Sequence, residues 1–194
     1  MLCLLPGSRK GEIARHVPIF SRTIAQLAEK FPTLTIVVPI ASHLAKAVKH
    51  AAEKWTLRTL IIEGEKQKKD AFAGSDVALA KSGTVTLELA MAGVPMVMTY
   101  RMNPLSAALL RRLVKIPYIT IINLILRREV IPEFLQEKCR ADLLAPAFQH
   151  LLEDEPARQE QITQMRRALL QLGAEDTISP SDKAAKVVME IISR

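Results

Sequence analysis

The sequence predicts an α/β protein: a doubly wound, mostly parallel, Rossmann-like sheet of about five strands, followed by a helical C-terminal extension. Short apolar runs alternate with helical patterns at the spacing of βαβ units, which force parallel pairing and right-handed crossovers. The runs are apolar throughout rather than every second residue, as in strands whose two faces are both covered by helices. A chain of 194 residues, 49% hydrophobic and only 4% aromatic, is also long enough to bury a full core of Leu, Ile, Val and Ala.

In order, the β-prone runs are 2–5, 34–38, 60–62, 77–80 and 94–99, the last with Pro95 near its start. From Ile13 the series Val17, Phe20, Ile24, Leu27, Phe31 keeps three- and four-residue steps, so one helical face is apolar. Pro18 falls inside that series and predicts a kink or a restart. A second helix covers 42–55, capped by Ser42. A short basic third covers 66–73, and a fourth covers 84–92, closed by Gly93 ahead of Pro95. After Arg101 the pattern changes. A helix over 104–114 carries Leu105, Leu109, Leu110 and Leu113 beside Arg111 and Arg112, with Lys115 just beyond, and 116–126 is strongly apolar. Further helices are expected over 132–138, 141–153, 156–172 and 181–193, the last with Ala184, Val187, Val188 and Ile191 on one face. Residues 1–140 are thus read as the sheet domain, and 141–194 as helices that pack on it or reach toward another domain.

The net charge of +7, from 27 basic and 20 acidic residues, suits phosphate or an anionic membrane as partner. Nucleic acid is disfavoured, because the basic residues are scattered and no aromatic-interleaved stripe accompanies them. Cys3 and Cys139 lie far apart, outside any metal-ligand spacing, and read as thiols of a reducing cytosol. His16, His43, His50 and His150 form no cluster and read as surface or interfacial residues. The first apolar run stops at Pro6-Gly7-Ser8-Arg9, unlike a signal peptide. The run 116–126 is about half the roughly 20 residues that a spanning helix needs, so the chain is expected to touch a membrane rather than cross it.

The most informative segment is Ser82-Gly83-Thr84-Val85-Thr86-Leu87-Glu88. A strand that turns through Ser-Gly-Thr into a helix aims free N–H groups and a positive dipole end at one point, which is a ready anion site. Glu88, four residues past Thr84, is read as a buried acid placed to accept hydrogen bonds from sugar hydroxyls beside a bound phosphate. The combination suits a nucleotide sugar. The same residues also suit a simple helix N-cap at Ser82 or Thr84 with an ordinary helical Glu. Ligands of open doubly wound sheets bind beyond the carboxyl ends of the strands, and both 5–9 and 82–84 fall at that edge. In the first of these loops Arg9 follows a tight Pro-Gly turn, where a fixed guanidinium can bind a diphosphate through paired hydrogen bonds.

Several strings together resemble the lipid-A-disaccharide synthase family. They are Leu4-Leu5-Pro6-Gly7-Ser8-Arg9 with Glu12-Ile13, Ile36-Val37-Val38-Pro39, Ser82-Gly83-Thr84 with Leu87-Glu88, and Pro95-Met96-Val97-Met98-Thr99-Tyr100-Arg101. Asn123, Arg128-Glu129-Val130 and Glu133-Phe134-Leu135-Gln136-Glu137 complete the series. The resemblance implies one half of a two-domain GT-B glycosyltransferase, cytoplasmic and peripheral to the bacterial inner membrane. It implies transfer of diacylglucosamine from its UDP conjugate to diacylglucosamine 1-phosphate, with a β-1,6 link formed, UDP released, and no nicotinamide, flavin or metal centre.

Carried onto this chain, the resemblance assigns the diphosphate to Gly7, Ser8, Arg9, Ser82, Gly83 and Thr84, and the ribose to Glu88. It adds Tyr100, Asn123, Arg128 and Glu129 as substrate-binding residues, with Arg9 and Asn123 the catalytic ones. Arg111, Arg112 and Lys115 are expected to meet anionic lipid. The chain is expected to correspond to the C-terminal, donor-binding half. The acceptor pocket and the general base would belong to an N-terminal domain, with a companion domain or a homodimer as partner. Two departures stand out: Thr120-Ile121-Ile122-Asn123 replaces the family's Ser-Leu-Pro-Asn, and Leu126-Arg127 replaces a pair of small residues. Two rival readings are another UDP-sugar enzyme of the same fold, such as a UDP-N-acetylglucosamine epimerase, and a non-catalytic nucleotide-binding or membrane-adaptor module.

Overall fold

The computed structural model describes residues 1–103, 106–107, 116–174 and 180–192. Six parallel strands form its sheet: β1 (Leu2–Leu5), β2 (Ile36–Pro39), β3 (Thr59–Ile62), β4 (Val77–Lys81), β5 (Met96–Tyr100) and β6 (Glu133–Leu135). Their spatial order is β3-β2-β1-β4-β5-β6, with Leu4 beside Leu79 where β1 and β4 meet. The order reverses between β1 and β4. That reversal opens a crevice beyond their carboxyl ends, because the connections leaving the two strands run to opposite sides.

Helices cover both faces: α1 (Lys10–Lys30), α2 (Ser42–Ala52), α3 (Glu65–Ala73), α4 (Val85–Met91), α5 (Ile121–Leu126), α6 (Ala141–Glu153), α7 (Glu155–Gln171) and α8 (Pro180–Ile192). The two-residue period of the strands divides the core. Leu2, Leu4, Ile36, Val38, Val77, Leu79 and Val97 face α1, α2 and α6, where Phe20, Leu27, Leu44 and Phe148 fill the gaps. Cys3, Leu5, Val37, Ala78, Ala80, Met96 and Met98 face the other way, against Phe72, Leu89, Ile122 and Met165. Each fully buried Leu or Phe stabilises by about 1.5–3 kcal/mol. Helices α6 and α7 therefore contribute to the same two cores as the strands. Gln161 of α7 clasps the start of β5: its Oε1 accepts from Met96 N–H at 2.6 Å, and its Nε2 donates to Met96 O at 3.2 Å.

Several expectations change. α1 runs unbroken through Pro18, which is exposed, as is Ala14, whose carbonyl lacks the i+4 N–H that proline cannot supply. Ala41, not Ser42, is the N-cap of α2, and it makes no side-chain cap bond. Residues 132–138 form no α-helix. They supply β6, paired with β5 through Met98–Glu133, and then a 3-10 turn over Gln136–Lys138. Pairing with a long neighbouring strand overrides the helical look of so short a run. On α8, Val188, Met189, Ile191 and Ile192 are exposed. No described helix is long and apolar enough to cross a membrane. The helix expected over 104–114, with Arg111, Arg112 and Lys115, lies outside the described residues.

Candidate functional site: a crevice at the strand-order reversal

A cavity of about 460 Å³ opens beyond the carboxyl ends of β1 and β4, within the range of small-molecule sites. Gly7 and Ser8 line it from the loop after β1. Lys81, Ser82, Gly83, Thr84 and Glu88 line it from the end of β4 through α4, and Gly64, Glu65 and Lys68 from the start of α3. The two loops singled out in the sequence thus meet at one place, because parallel neighbours deliver their carboxyl ends to the same edge.

The β4–α4 loop is built to present polar groups. Ser82 N–H is spent on Thr99 O at 2.9 Å, continuing the sheet. The N–H groups of Gly83 and Thr84 have no hydrogen-bond acceptor among the described residues. Thr86 Oγ1 closes the turn on Gly83 O at 2.8 Å. Thr84 is the N-cap of α4 but makes no side-chain cap bond, so its hydroxyl remains available to the cavity. A Cβ on Gly83 would meet nothing within 4 Å.

The β1–α1 loop is fixed by Glu12, which stands on the first turn of α1 and is nearly buried. Its Oε2 accepts from Ser8 N–H at 2.9 Å, while Oε1 pairs with Lys81 Nζ at 3.0 Å. One carboxylate therefore ties the loop after β1 to the end of β4. Burial pushes its pKa up, but Lys81, the Ser8 N–H and Arg9 more than offset that and hold it below the usual 4.5. Gly7 adopts φ +124, and a Cβ there would lie 2.7 Å from both Glu12 Cβ and Oε2. Only glycine suits that contact. Lys81 Nζ also sits 5.0 Å from the centre of the Tyr100 ring. Tyr100, at the end of β5, thus backs the site through Lys81 and does not line the cavity.

His16 is fully buried, contrary to the surface reading. Its Nε2 accepts from Arg101 N–H at 3.1 Å, so Nδ1 must carry the proton donated to Glu12 O at 2.8 Å. Burial chiefly lowers its pKa and keeps the ring neutral. It joins the start of α1 to the chain leaving β5. Helical period alone could have found it, since His16 shares the inward face with Ile13, Val17 and Phe20.

Other expected site residues fall differently. Glu88 does line the cavity but is not buried: its side chain is 43% exposed and pairs with Lys68 Nζ at 2.6 Å. Arg9 is the N-cap of α1 and does not line the cavity. Its side chain is 83% exposed, with one contact to Glu12 at 3.7 Å, so the guanidinium is not held fixed. Asn123 is wholly buried and fully committed. Its Nδ2 donates to Ile131 O at 2.8 Å and Glu133 Oε1 at 2.9 Å, and its Oδ1 accepts from Val130 N–H at 2.8 Å and Ile131 N–H at 2.9 Å. No hydrogen-bonding capacity is left for a ligand; Asn123 fixes the entry to β6. The altered segment before it is anchored too, with Thr120 N–H and hydroxyl both on Glu133 Oε1. Arg127 takes the left-handed conformation that ends α5.

Arg128 and Glu129 line a separate cavity of about 270 Å³ with Gln161 and Gln164. It lies beside the amino ends of β5 and β6, the edge opposite the crevice, and Arg128 approaches Glu160 at 3.9 Å. Both cysteines are free and buried, and burial raises both thiols, that of Cys3 to about 12. Among the described residues no group of three or more His, Cys, Asp or Glu is placed to hold a metal ion.

The family model for Lipid-A-disaccharide synthetase matches residues 1–188. The lipid-A-disaccharide synthase of Paramagnetospirillum magneticum is 45% identical over 194 residues, covering 99% of this chain and 49% of that one. That of Rhodospirillum centenum is 42% identical over 194 residues, covering 100% and 48%. The chain thus spans about half the length of the curated relatives it matches. Among solved structures, a UDP-GlcNAc 2-epimerase from Neisseria meningitidis bound to UDP-GlcNAc gives TM-score 0.56 at 13% identity, over 90% of this chain and 45% of that one. The C-terminal domain of a group 1 glycosyl transferase from Francisella tularensis gives 0.53 at 11%, over 88% and 84%. At such identities these two share the fold alone; the epimerase is a structural neighbour and no more.

Proposed function

This chain belongs to the lipid-A-disaccharide synthetase family, and on that premise we propose that it is the donor-binding half of a glycosyltransferase that builds the lipid A disaccharide. The donor is UDP-diacylglucosamine and the acceptor diacylglucosamine 1-phosphate. The observation that carries the reading is the single crevice in which Gly7, Ser8, Ser82, Gly83, Thr84 and Glu88 converge at the reversal of strand order. The diphosphate lies against the N–H groups of Gly83 and Thr84 and beside the loop of Gly7 and Ser8. The ribose hydroxyls reach Glu88.

In this reading the acceptor 6-hydroxyl attacks the anomeric carbon while the bond to the diphosphate breaks, inverting that carbon. Negative charge grows on the departing β-phosphate. Preoriented N–H donors and cations stabilise it more in the transition state than in the ground state. Lys81 supplies positive charge beneath the loops, and Arg9, exposed at the mouth, adds its own from outside. The base that takes the hydroxyl proton is supplied from outside this chain.

Association with the cytoplasmic face of the inner membrane belongs to the same proposal. It is supported by the net charge of +7, by the basic sequence Arg111, Arg112, Lys115, and by exposed Ile116, Ile119, Ile121 and Leu124, which follow it in the sequence.

Calorimetry with UDP tests the nucleotide site. The wild-type chain is expected to bind UDP, and Glu88→Ala to weaken it about tenfold or more through the lost charge-assisted hydrogen bonds. Equal affinity in the two proteins would remove Glu88 from the site. Synthase turnover by the 194-residue chain alone would refute the placement of the base outside it.

A further inference from the structure

Glu88 is the acid offered to the ribose, yet its Oε2 is already held by Lys68 Nζ at 2.6 Å. A nucleoside must compete with an ammonium for that oxygen. Lys68 stands on α3 and lines the crevice. It also contacts Glu65 at 3.5 Å and lies 5.7 Å from the Phe72 ring centre. Both residues line the cavity, the Lys68 side chain 21% exposed and that of Glu88 43%.

The second cavity lysine is engaged differently. Lys81, 16% exposed, is bound to Glu12, which also holds the Ser8 N–H. Withdrawing it would release the loop after β1. Lys68 holds no loop of the crevice: its ammonium pairs with Glu88 of α4 and with Glu65 of its own helix, while Ala71 and Phe72 pack α3 into the core. Its flexible four-carbon stem lets the charge move while the helix stays in place.

We propose that Lys68 is the specificity-determining residue of this crevice, a cation that leaves Glu88 for the diphosphate and so makes capture of the sugar hydroxyls depend on the phosphates. An entering diphosphate offers Lys68 two anionic groups in place of one carboxylate. Once the ammonium has moved, both Glu88 oxygens are available to the two ribose hydroxyls. A nucleoside without phosphates has nothing to draw Lys68 away. The crevice therefore selects nucleoside diphosphates by coupling two contacts. The proposal rests on the nucleotide reading above and names the residue that sets its selectivity.

The test is titration calorimetry of the 194-residue chain with UDP and with uridine, on wild type, Lys68→Met, Lys68→Arg and Glu88→Gln. In Lys68→Met, UDP affinity is expected to fall about ten- to a hundredfold, as for loss of a charged hydrogen bond. Uridine affinity should hold or rise, so the UDP-to-uridine preference collapses. Lys68→Arg should retain the preference, and Glu88→Gln should weaken both ligands. A second measurement needs only the wild type: saturating inorganic pyrophosphate should tighten uridine binding several-fold, because it draws Lys68 from Glu88. An unchanged UDP-to-uridine ratio in Lys68→Met, or uridine indifferent to pyrophosphate, overturns the role of Lys68 while leaving the nucleotide site standing. A wild type that binds neither UDP nor uridine overturns the nucleotide reading itself, and this inference with it.

Discussion

Two glycines of the crevice make opposite demands, and their alanine variants separate fold from binding. Gly7 sits at φ +124, and an added Cβ would lie 2.7 Å from Glu12 Cβ and Oε2. Holding a non-glycine residue there costs about 1–3 kcal/mol in backbone strain. Moving Glu12 aside breaks its hydrogen bond from Ser8 N–H and its pair with Lys81, each charge-assisted and largely buried, for about 1.5–3 kcal/mol more. Gly7→Ala is therefore expected to destabilise by about 2.5–6 kcal/mol. For a chain of this size that lowers Tm by roughly 5–24 °C. Gly83 takes no positive φ and its Cβ would meet nothing within 4 Å. Gly83→Ala should stay within about 0.5 kcal/mol of wild type. Its methyl group projects where the phosphate must come close to the backbone, so UDP affinity should drop about tenfold or more. Thermal denaturation followed by circular dichroism, together with UDP calorimetry, reads both quantities. Equal melting temperatures for the two variants, or a Gly83→Ala protein that binds UDP as wild type does, would refute the reasoning.

Further outcomes follow from the same contacts. The Glu12 carboxyl has a folded pKa below its usual 4.5, so its contribution to stability is fully present above that value and is lost as pH falls through the folded pKa. Acid-unfolding curves of wild type and Glu12→Gln should therefore converge as pH falls through the folded pKa, and curves that stay parallel into acid would argue against the pair. Asn123→Ala should cost about 3 kcal/mol or more by orphaning buried groups at the entry to β6, yet leave UDP affinity unchanged in the folded fraction; selective loss of UDP binding would restore Asn123 to the site. Co-sedimentation with vesicles containing anionic lipid should weaken when Arg111, Arg112 and Lys115 are replaced by Ala, and weaken again as salt rises. Absence of binding at any salt would discard the membrane surface.

The linear sequence determined the strands β1 to β5 and the helices between them, because their apolar spacing is a local property. It also determined that the Pro6-Gly7-Ser8-Arg9 and Ser82-Gly83-Thr84 loops share an edge, since every strand in a βαβ chain points the same way. Tertiary structure alone decided the rest. β6 is too short to show a period and exists because β5 offers it a partner. Asn123 became a buried staple and His16 a buried link through contacts with residues distant along the chain. Lys68 looked like one more basic residue on a short polar helix until folding set it against Glu88, twenty positions further on. Local periodicity says which side of an element is wet. Which cation meets which carboxylate is settled only by how those elements stack.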